Sequence, residues 1–291
     1  MDIVICLASK DYHIIKKVIP QARIYLQEHN DQIYLITNHT NNIFFSNNWL
    51  KKHHVTLIDE DQMLPGLSMK RCQQILQEHF TCNKYPGWYL QQFLKMGFAL
   101  TSYAQKEYLI WDSDTFPLHT LRFKDTSDKY IITIKDENHT PYFNTLKRLL
   151  GYGKLCKYSF IAEHMPIKVD WMRELITHIE KTDIKGDLWF EKILYATSGQ
   201  DEQAFSEFET YGSYLSHEYP NSFIVRPLRT LREGGMMWGR GVSIKTLNIL
   251  ANMGFDTASF ELRHIPPFPN NIPNWTERCW LAILRKLKVI Q

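Results

Sequence analysis

Short apolar runs alternate with segments of helical periodicity along the first part of the chain. Three of these runs, Asp2–Ala8, Gln32–Thr37 and Val55–Ile58, are rich in β-branched residues and predict buried strands. From Tyr89 to Leu100, apolar side chains recur every three or four residues, which predicts an amphipathic helix. Strands that alternate with helices in this way predict an α/β fold, with a mixed, mostly parallel sheet and crossover helices.

The most informative stretch is the apolar run Glu107–Trp111 and the polar turn that follows it. Asp112, Ser113 and Asp114 stand directly after this predicted strand, at the sheet edge where α/β proteins usually bind ligands. Acids two residues apart can point to the same side, and their oxygens suit Mn²⁺ or Mg²⁺ with a bound diphosphate. Aspartate and serine are also common in turns without any ligand.

Two other segments supply candidate ligand contacts. Ser9 and Asp11 follow the first predicted strand, where they could contact a nucleotide, although Asp11 would serve equally well as a helix N-cap. Gln91 and Lys95 share one face of the helix that precedes Glu107–Trp111. Lys95 suits a phosphate as a compact positive charge, and its alternative role is that of a solvated surface lysine.

Four sequence motifs occur in an order that resembles a known family. They are GWYLQQFLKM, LIWDSDTFP, FIAEHMPI at Phe160–Ile167 and FSEFETYG at Phe205–Gly212. Together they resemble the DUF6492-like group of bacterial GT-A glycosyltransferases found in lipopolysaccharide and capsule biosynthesis. The resemblance implies a single Rossmann-like GT-A domain and a nucleotide-sugar donor. It also implies a divalent metal at Asp112 and Asp114, an acceptor side near His164, and a lipid-linked or surface glycan as acceptor.

An inverting sugar transfer needs a base that takes the proton from the acceptor hydroxyl. Glu207 is the first candidate and Glu209 the second, and their spacing fits either a strand or a helix. Two exposed glutamates of a helix are the alternative, and a retaining enzyme would not need this base. The glycine-rich segment 233–241 predicts a flexible loop, beside which Arg232 or Arg240 could pair with the diphosphate. His217 and His264 are positional candidates for a third metal ligand.

The C-terminal segment differs in character from the rest. We predict a glycosyltransferase domain at residues 1–262 and, at 263–291, a proline-rich link with a basic amphipathic helix over Trp275–Ile290. Such a helix suits the surface of an anionic membrane, and it would also suit packing on the domain.

Composition excludes several classes of protein. The 291 residues carry a net charge of only +3 with interleaved acids and bases, which argues against nucleic-acid binding. The five cysteines are far apart and suggest neither a zinc site nor a disulfide framework. With no signal peptide pattern and no apolar run long enough to span a bilayer, we expect a cytoplasmic protein, with peripheral contact at the cytoplasmic face of the inner membrane as a further candidate.

Two other functions compete with sugar transfer. A haloacid-dehalogenase-like phosphatase also places two aspartates after an apolar strand and uses Mg²⁺, but its strand usually lies near the start of the domain. A non-catalytic protein that binds a sugar or a nucleotide is the second alternative.

Overall fold

A computed structural model describes residues 1–26, 32–79, 85–197 and 203–290. The strands in chain order are β1 (Asp2–Cys6), β2 (Ile33–Thr37), β3 (Val55–Asp59), β4 (Glu107–Trp111), β5 (Thr115–Pro117), β6 (Tyr130–Ile134), β7 (His164–Lys168), β8 (Phe223–Pro227), β9 (Thr230–Leu231) and β10 (Thr257–Ser259). The helices are α1 (Tyr12–Tyr25), α2 (Asn47–Lys52), α3 (Met69–His79), α4 (Pro86–Gly97), α5 (Thr140–Leu150), α6 (Val169–Glu180), α7 (Trp189–Ala196), α8 (Glu207–Glu218), α9 (Gly234–Trp238), α10 (Ile244–Asn252) and α11 (Asn271–Lys286).

The chain divides into two compact units. The first unit comprises residues 1–59, 111–122 and 228–291, and the second comprises 60–110 and 123–227. The first is therefore built from three separate stretches of sequence, and the second from two. The predicted boundary between 262 and 263 stays a prediction, although residues on both sides of it belong to the first unit.

The first unit contains a parallel arrangement of β3, β2 and β1. Ile3 pairs with Ile33, and Ile33 pairs in turn with Val55, so the three strands run in register in one direction. Four of the five residues in β1 are buried, as expected of an apolar strand inside an α/β layer. In a second sheet, β10 runs antiparallel to β5 and parallel to β9.

The second unit packs helices around an aromatic core. The ring of Phe93 on α4 lies 5.6 Å from that of Trp189 on α7 and 6.0 Å from that of Phe205. Strands β6 and β8 pair in parallel, from Tyr130 with Phe223 onward. The prediction of an α/β fold with mixed, mostly parallel strands is confirmed.

The C-terminal helix α11 packs on the first unit. Leu281 and Leu284 form a buried cluster with Tyr12 of α1 and with Leu262. These apolar contacts stabilise the helix in its place, because an amphipathic helix gains stability mainly by burying one face. The helix is therefore part of the core of this unit.

The sequence also predicts a short strand at Ser159–Ala162 that ends at Glu163 and His164, and this prediction is wrong. Residues 159–162 form no strand beyond a single bridge from Ser159 to Lys135, and the strand is β7, which begins at His164. Glu163 and His164 thus lie at the start of a strand and not at its end. The observed strand includes Pro166, which cannot donate a backbone hydrogen bond and is found in strands mainly at sheet edges.

Candidate functional site

The turn that carries the two aspartates is held by hydrogen bonds on both sides. The indole nitrogen of Trp111 donates to the carbonyl of Thr115 at 2.8 Å, across the turn. The amide of Phe260, which follows β10, donates to the carbonyl of Asp114 at 3.0 Å. The turn therefore has a fixed backbone, and it places Asp112 and Asp114 where β4 ends and β5 begins.

Asp11, Asp112 and Asp114 form a cluster of negative charge, which we call the aspartate cluster. Burial, together with the nearby carboxylates of Asp11 and Asp112, raises the pKa of Asp114 to about 7. Glu261 also contributes repulsion, and only Lys10 opposes it among the named neighbours. Acids that repel one another in this way are stabilised by a cation.

Asp11 is held inside the protein and does not cap α1 with its side chain. It occupies the N-cap position without a side-chain capping bond. One carboxylate oxygen lies 3.0 Å from the guanidinium of Arg240, and the other accepts from the hydroxyl of Ser113 at 3.3 Å. Asp11 therefore occupies the predicted N-cap position without a capping hydrogen bond from its side chain, and nucleotide contact stays a prediction.

The residues of the aspartate cluster fit a divalent cation. Carboxylate oxygens are hard ligands, and Mg²⁺ is usually bound by one or two of them together with phosphate oxygens and water. Within the described residues, no set of three His, Cys, Asp or Glu ligand atoms that includes Asp112 and Asp114 lies within 4.8 Å. The role of Asp112 and Asp114 as metal ligands stays a prediction.

The two histidines that were considered as a third ligand lie in different units. His264 is buried in the first unit, and its Nδ1 has no hydrogen-bond partner among the described residues. His217 is exposed on α8 of the second unit, where its Nδ1 lies 2.9 Å from a carboxylate oxygen of Glu218. A ligand role for either one stays a prediction.

The glycine-rich segment 233–241 folds into α9 and a turn of 3₁₀ helix. A Cβ on Gly235 would lie 2.8 Å from Nδ1 of His264, so this glycine permits close packing. Arg232 is exposed, whereas Arg240 is buried and its guanidinium is bound to protein groups. The role of Arg232 toward the diphosphate stays a prediction.

In the second unit, two candidate residues bind each other. Nζ of Lys95 on α4 lies 2.8 Å from a carboxylate oxygen of Glu207 on α8, and the two side chains are 4% and 3% exposed. The backbone amide of Glu207 donates to the side chain of Gln92, while the predicted contact Gln91 is half-buried beside it. The phosphate contact of Lys95 and the base role of Glu207 stay predictions. In this conformation each of the two side chains is buried and paired with the other.

Glu209 and His164 are also engaged inside the second unit. Glu209 accepts from the hydroxyl of Ser159 at 2.7 Å and from the amide of Phe160 at 2.9 Å. His164 is fully buried, and its Nε2 lies 2.8 Å from the hydroxyl of Thr133. Burial lowers the pKa of His164 well below its usual range, so its ring is neutral at pH 7. Neither side chain has the exposure that a direct substrate contact needs in this conformation, and their roles stay predictions.

The sequence matches one family model over most of its length. Residues 21–223 match DUF6492, described as a family of unknown function, and this region is more than half of the chain. The chain belongs to the DUF6492 family. The family expected from the sequence motifs is thereby confirmed, and its description leaves the activity open.

Several solved glycosyltransferases are similar in structure to this DUF6492 member. The galactosyltransferase LgtC, solved with donor and acceptor sugar analogues, has a TM-score of 0.42 at 10% identity, covering 98% of this chain and 96% of its own. The bifunctional glycosyltransferase WbbM has 0.45 at 12% identity, covering 95% and 51%. Core-mannan synthase A from Aspergillus fumigatus, in its Mn/GDP form, has 0.39 at 10% identity, covering 68% and 70%. Since these scores and identities are low, the chemistry of the DUF6492 chain is argued below from its own residues. A comparison with curated proteins found no match.

Two acidic residues that act on this site were not predicted from the sequence. Glu261 follows β10 and acts on Asp114 through its charge, but nothing local in the sequence places it beside residue 114. Glu277 lies in the C-terminal helix, which was considered only for its exposed basic and apolar residues. The feature of the sequence that could have singled out Glu277 is that it is a single acid within an otherwise basic helix.

Proposed function

We propose that this protein is a metal-dependent GT-A glycosyltransferase that moves a sugar from a nucleotide-diphosphate sugar to a hydroxyl group of a growing glycan. The observation that supports this is the aspartate cluster at the end of β4, on a turn whose backbone is held by Trp111 and Phe260. Carboxylates gathered at the end of a sheet strand suit an ion bound together with a diphosphate.

The residues of the chain divide the work as follows. Asp112 and Asp114 would hold Mn²⁺ or Mg²⁺, which would supply positive charge beside the diphosphate leaving group. Ser9 and the 3₁₀ turn at Ser9–Asp11 border the nucleotide, and Arg232 contributes charge from the exposed end of β9. The acceptor hydroxyl needs a base only if the transfer inverts configuration, and Glu207 is retained as the first candidate for that role.

The test is a panel of UDP-, GDP- and CMP-linked sugars, with and without Mn²⁺. Thermal unfolding and donor hydrolysis are measured for the wild type, for Asp114→Asn, and for Asp136→Asn, which alters an exposed aspartate. We expect one donor to stabilise the wild type only with Mn²⁺, the Asp114→Asn variant to lose this response, and Asp136→Asn to keep it. The proposal is wrong if no donor gives a metal-dependent shift. Cleavage of simple phosphomonoesters instead would identify the phosphatase.

We further propose that the acceptor is a lipid-linked glycan of the lipopolysaccharide or capsule type, met at the cytoplasmic face of an inner membrane. No helix in the described residues is long and apolar enough to cross a membrane. The support comes from α11, where Ile272, Trp275 and Ile283 are 47%, 66% and 50% exposed. At about 100° per residue these three project from one side of the helix, opposite the buried Leu281 and Leu284. Four exposed basic residues lie on this helix or just after it: Arg278, Arg285, Lys286 and Lys288.

An amphipathic helix of this kind binds anionic bilayers through buried apolar area and attraction between charges. We expect the protein to co-sediment with vesicles that contain phosphatidylglycerol and not with pure phosphatidylcholine. The double variant Trp275→Ser/Ile283→Ser should lose most of this binding. Ile249→Ser, which removes a similarly exposed side chain from α10, is the matched control and should retain it. Equal sedimentation of all three proteins would refute membrane contact by α11.

A further inference from the structure

Arg240 lies at the centre of a buried network in the first unit. Its guanidinium is within 3.0 Å of the Asp11 carboxylate and within 3.4 Å of the Glu277 carboxylate on α11. It also donates to the carbonyl of Lys10 at 2.7 Å and to that of Phe260 at 3.0 Å. We call Asp11, Arg240 and Glu277 the Arg240 network. With a side chain only 2% exposed, Arg240 has its charge compensated inside the protein.

The backbone around Arg240 is held by contacts from α1 and α11. Its amide donates to the side chain of Asn274 on α11 at 2.7 Å. Lys17 on α1 donates to the carbonyls of Arg240 and Val242 at 3.3 and 3.2 Å. The guanidinium cannot shift far without breaking several of these contacts, because its backbone and its side chain are both bound.

The network reaches the aspartate turn by two routes. Along the first route, the oxygen of Asp11 that does not face Arg240 accepts from Ser113, the middle residue of the turn. Along the second, Arg240 binds the carbonyl of Phe260, while the amide of the same residue binds the carbonyl of Asp114. The hydrogen bond of Ser113 is long at 3.3 Å and therefore weak, so the second route is the firmer one.

We propose that Arg240 and Glu277 are positioning residues for the proposed metal and donor site: they fix Asp11 and Phe260, and through them the aspartate turn. This inference rests on the proposed function for its consequence in binding, but the positioning itself is a property of the metal-free protein. Two properties of Arg240 support this role, its positive charge and the planar geometry of its guanidinium. Arg240 is the cation that allows Asp11 to lie close to two further carboxylates, and its planar fork binds two backbone carbonyls at fixed angles.

The experiment compares Arg240→Lys, Glu277→Gln and a control, Lys245→Gln, which alters an exposed lysine on α10 of the same unit. The first measurement needs no metal. The indole proton of Trp111 bonds across the aspartate turn, so its NMR signal in protein labelled with ¹⁵N-tryptophan reports the geometry of that turn. The signal is assigned with Trp111→Phe. We expect Arg240→Lys and Glu277→Gln each to shift it, and Lys245→Gln to leave it in place.

The second measurement is the affinity for Mn²⁺ alone, from the electron paramagnetic resonance signal of the free ion. Substitutions that disturb the support of metal ligands typically weaken binding by about 10- to 100-fold, and we expect about tenfold for both network variants. Thermal unfolding shows which variants are folded, and Glu277→Gln tests the inference alone if Arg240→Lys does not fold.

The outcomes separate this inference from the proposed function. If folded network variants melt at a lower temperature but keep the Trp111 signal and the Mn²⁺ affinity of the wild type, the network is merely structural and the inference is wrong. If the wild type binds no Mn²⁺, the proposed function fails, and the shift of the Trp111 signal still decides whether the network positions the turn.

Discussion

The buried pair of Lys95 and Glu207 gives the sharpest test of which candidate residues are structural. The two charged atoms lie 2.8 Å apart, and at least 96% of each side chain is removed from solvent. Lys95 also lies 4.7 Å from the centre of the Phe208 ring. Removing one partner of such a pair leaves an uncompensated buried charge, which costs about 3–5 kcal/mol.

The expected loss follows from these contacts. Glu207→Gln keeps a side-chain oxygen for Lys95 but not the charge. We therefore expect the free energy of unfolding to fall by the lower end of this range, about 3 kcal/mol. For a unit of this size that corresponds to a fall in melting temperature of roughly 6–12 °C. Lys95→Met should cost somewhat more, because the contact of the cation with Phe208 is lost as well. The double variant Lys95→Met/Glu207→Met should recover most of the loss, since no buried charge is left alone.

The assay is a double-mutant cycle by thermal and urea unfolding, with activity measured well below each melting temperature. Asp128→Asn is the control, because the Lys124–Asp128 ion pair has nearly the same length, 2.9 Å, but its aspartate is 83% exposed. It should cost less than about 1 kcal/mol. A Glu207→Gln protein that melts with the wild type would refute the reasoning about burial.

Activity then separates the two roles of Glu207. If it is a general base, folded Glu207→Gln loses about 10²- to 10⁴-fold in rate, and the double variant stays inactive. If it serves only to hold α4 and α8 together, the double variant regains activity along with stability. Regained activity of the double variant would assign Glu207 to structure, whereas a large rate loss in folded Glu207→Gln would assign it to the reaction.

Three further outcomes are expected. In the metal-free protein the folded state keeps the proton of Asp114 up to a pKa of about 7, whereas the unfolded chain loses it at about pH 4, so the wild type loses stability as pH rises from about 4 to about 7. Asp114→Asn lacks this loss, so its free energy of unfolding should rise relative to that of the wild type over the same interval, by at least about 1 kcal/mol. Calorimetry with a chelator checks this, and a difference that shrinks with pH would contradict it. Gly212→Ala should destabilise by at least about 1–3 kcal/mol in urea, because its Cβ would lie 2.2 Å from the ring of Phe160, whereas Gly153→Ala has room and should be neutral. Burial raises the pKa of Cys72 to about 12, so its thiol should resist a thiol reagent until the protein is unfolded, as mass spectrometry of labelled peptides would show.

The parts of the fold that were predictable are those encoded locally. The strand Glu107–Trp111 was predicted with the bounds that it has, because a continuous apolar run followed by polar residues needs no partner to be recognised. The first strand was also predicted from a local apolar run, although it ends two residues earlier than predicted. The position of Asp112 and Asp114 after a buried strand therefore followed from the sequence alone.

The partners of the candidate residues were not predictable, because they come from distant parts of the chain. Lys95 and Glu207 are 112 positions apart, and Asp11 and Arg240 are more than 200 apart. Sequence spacing indicates which face of a helix a lysine occupies, but not which carboxylate it meets there. For the same reason, the glycines of 233–241 were interpreted as a sign of mobility. They pack against distant backbone and against the side chain of His264, and the local sequence does not indicate these contacts.

The helix α11 joins two features that the sequence analysis treated as separate. Its inner side carries Asn274 and Glu277, which bind Arg240, and its outer side carries Trp275 and Ile283. A membrane that binds the outer side of α11 can change the Mn²⁺ affinity of the aspartate cluster only under one condition. It must bind the protein more tightly when Arg240 holds its contacts than when it does not. If both proposals hold, vesicles should therefore tighten Mn²⁺ binding only to the extent that Mn²⁺ tightens vesicle binding, because the coupling between two sites is reciprocal. Measuring the Mn²⁺ affinity with and without vesicles, for the wild type and for Trp275→Ser/Ile283→Ser, tests the link, and a vesicle effect that persists in the double variant would rule out α11 as its carrier.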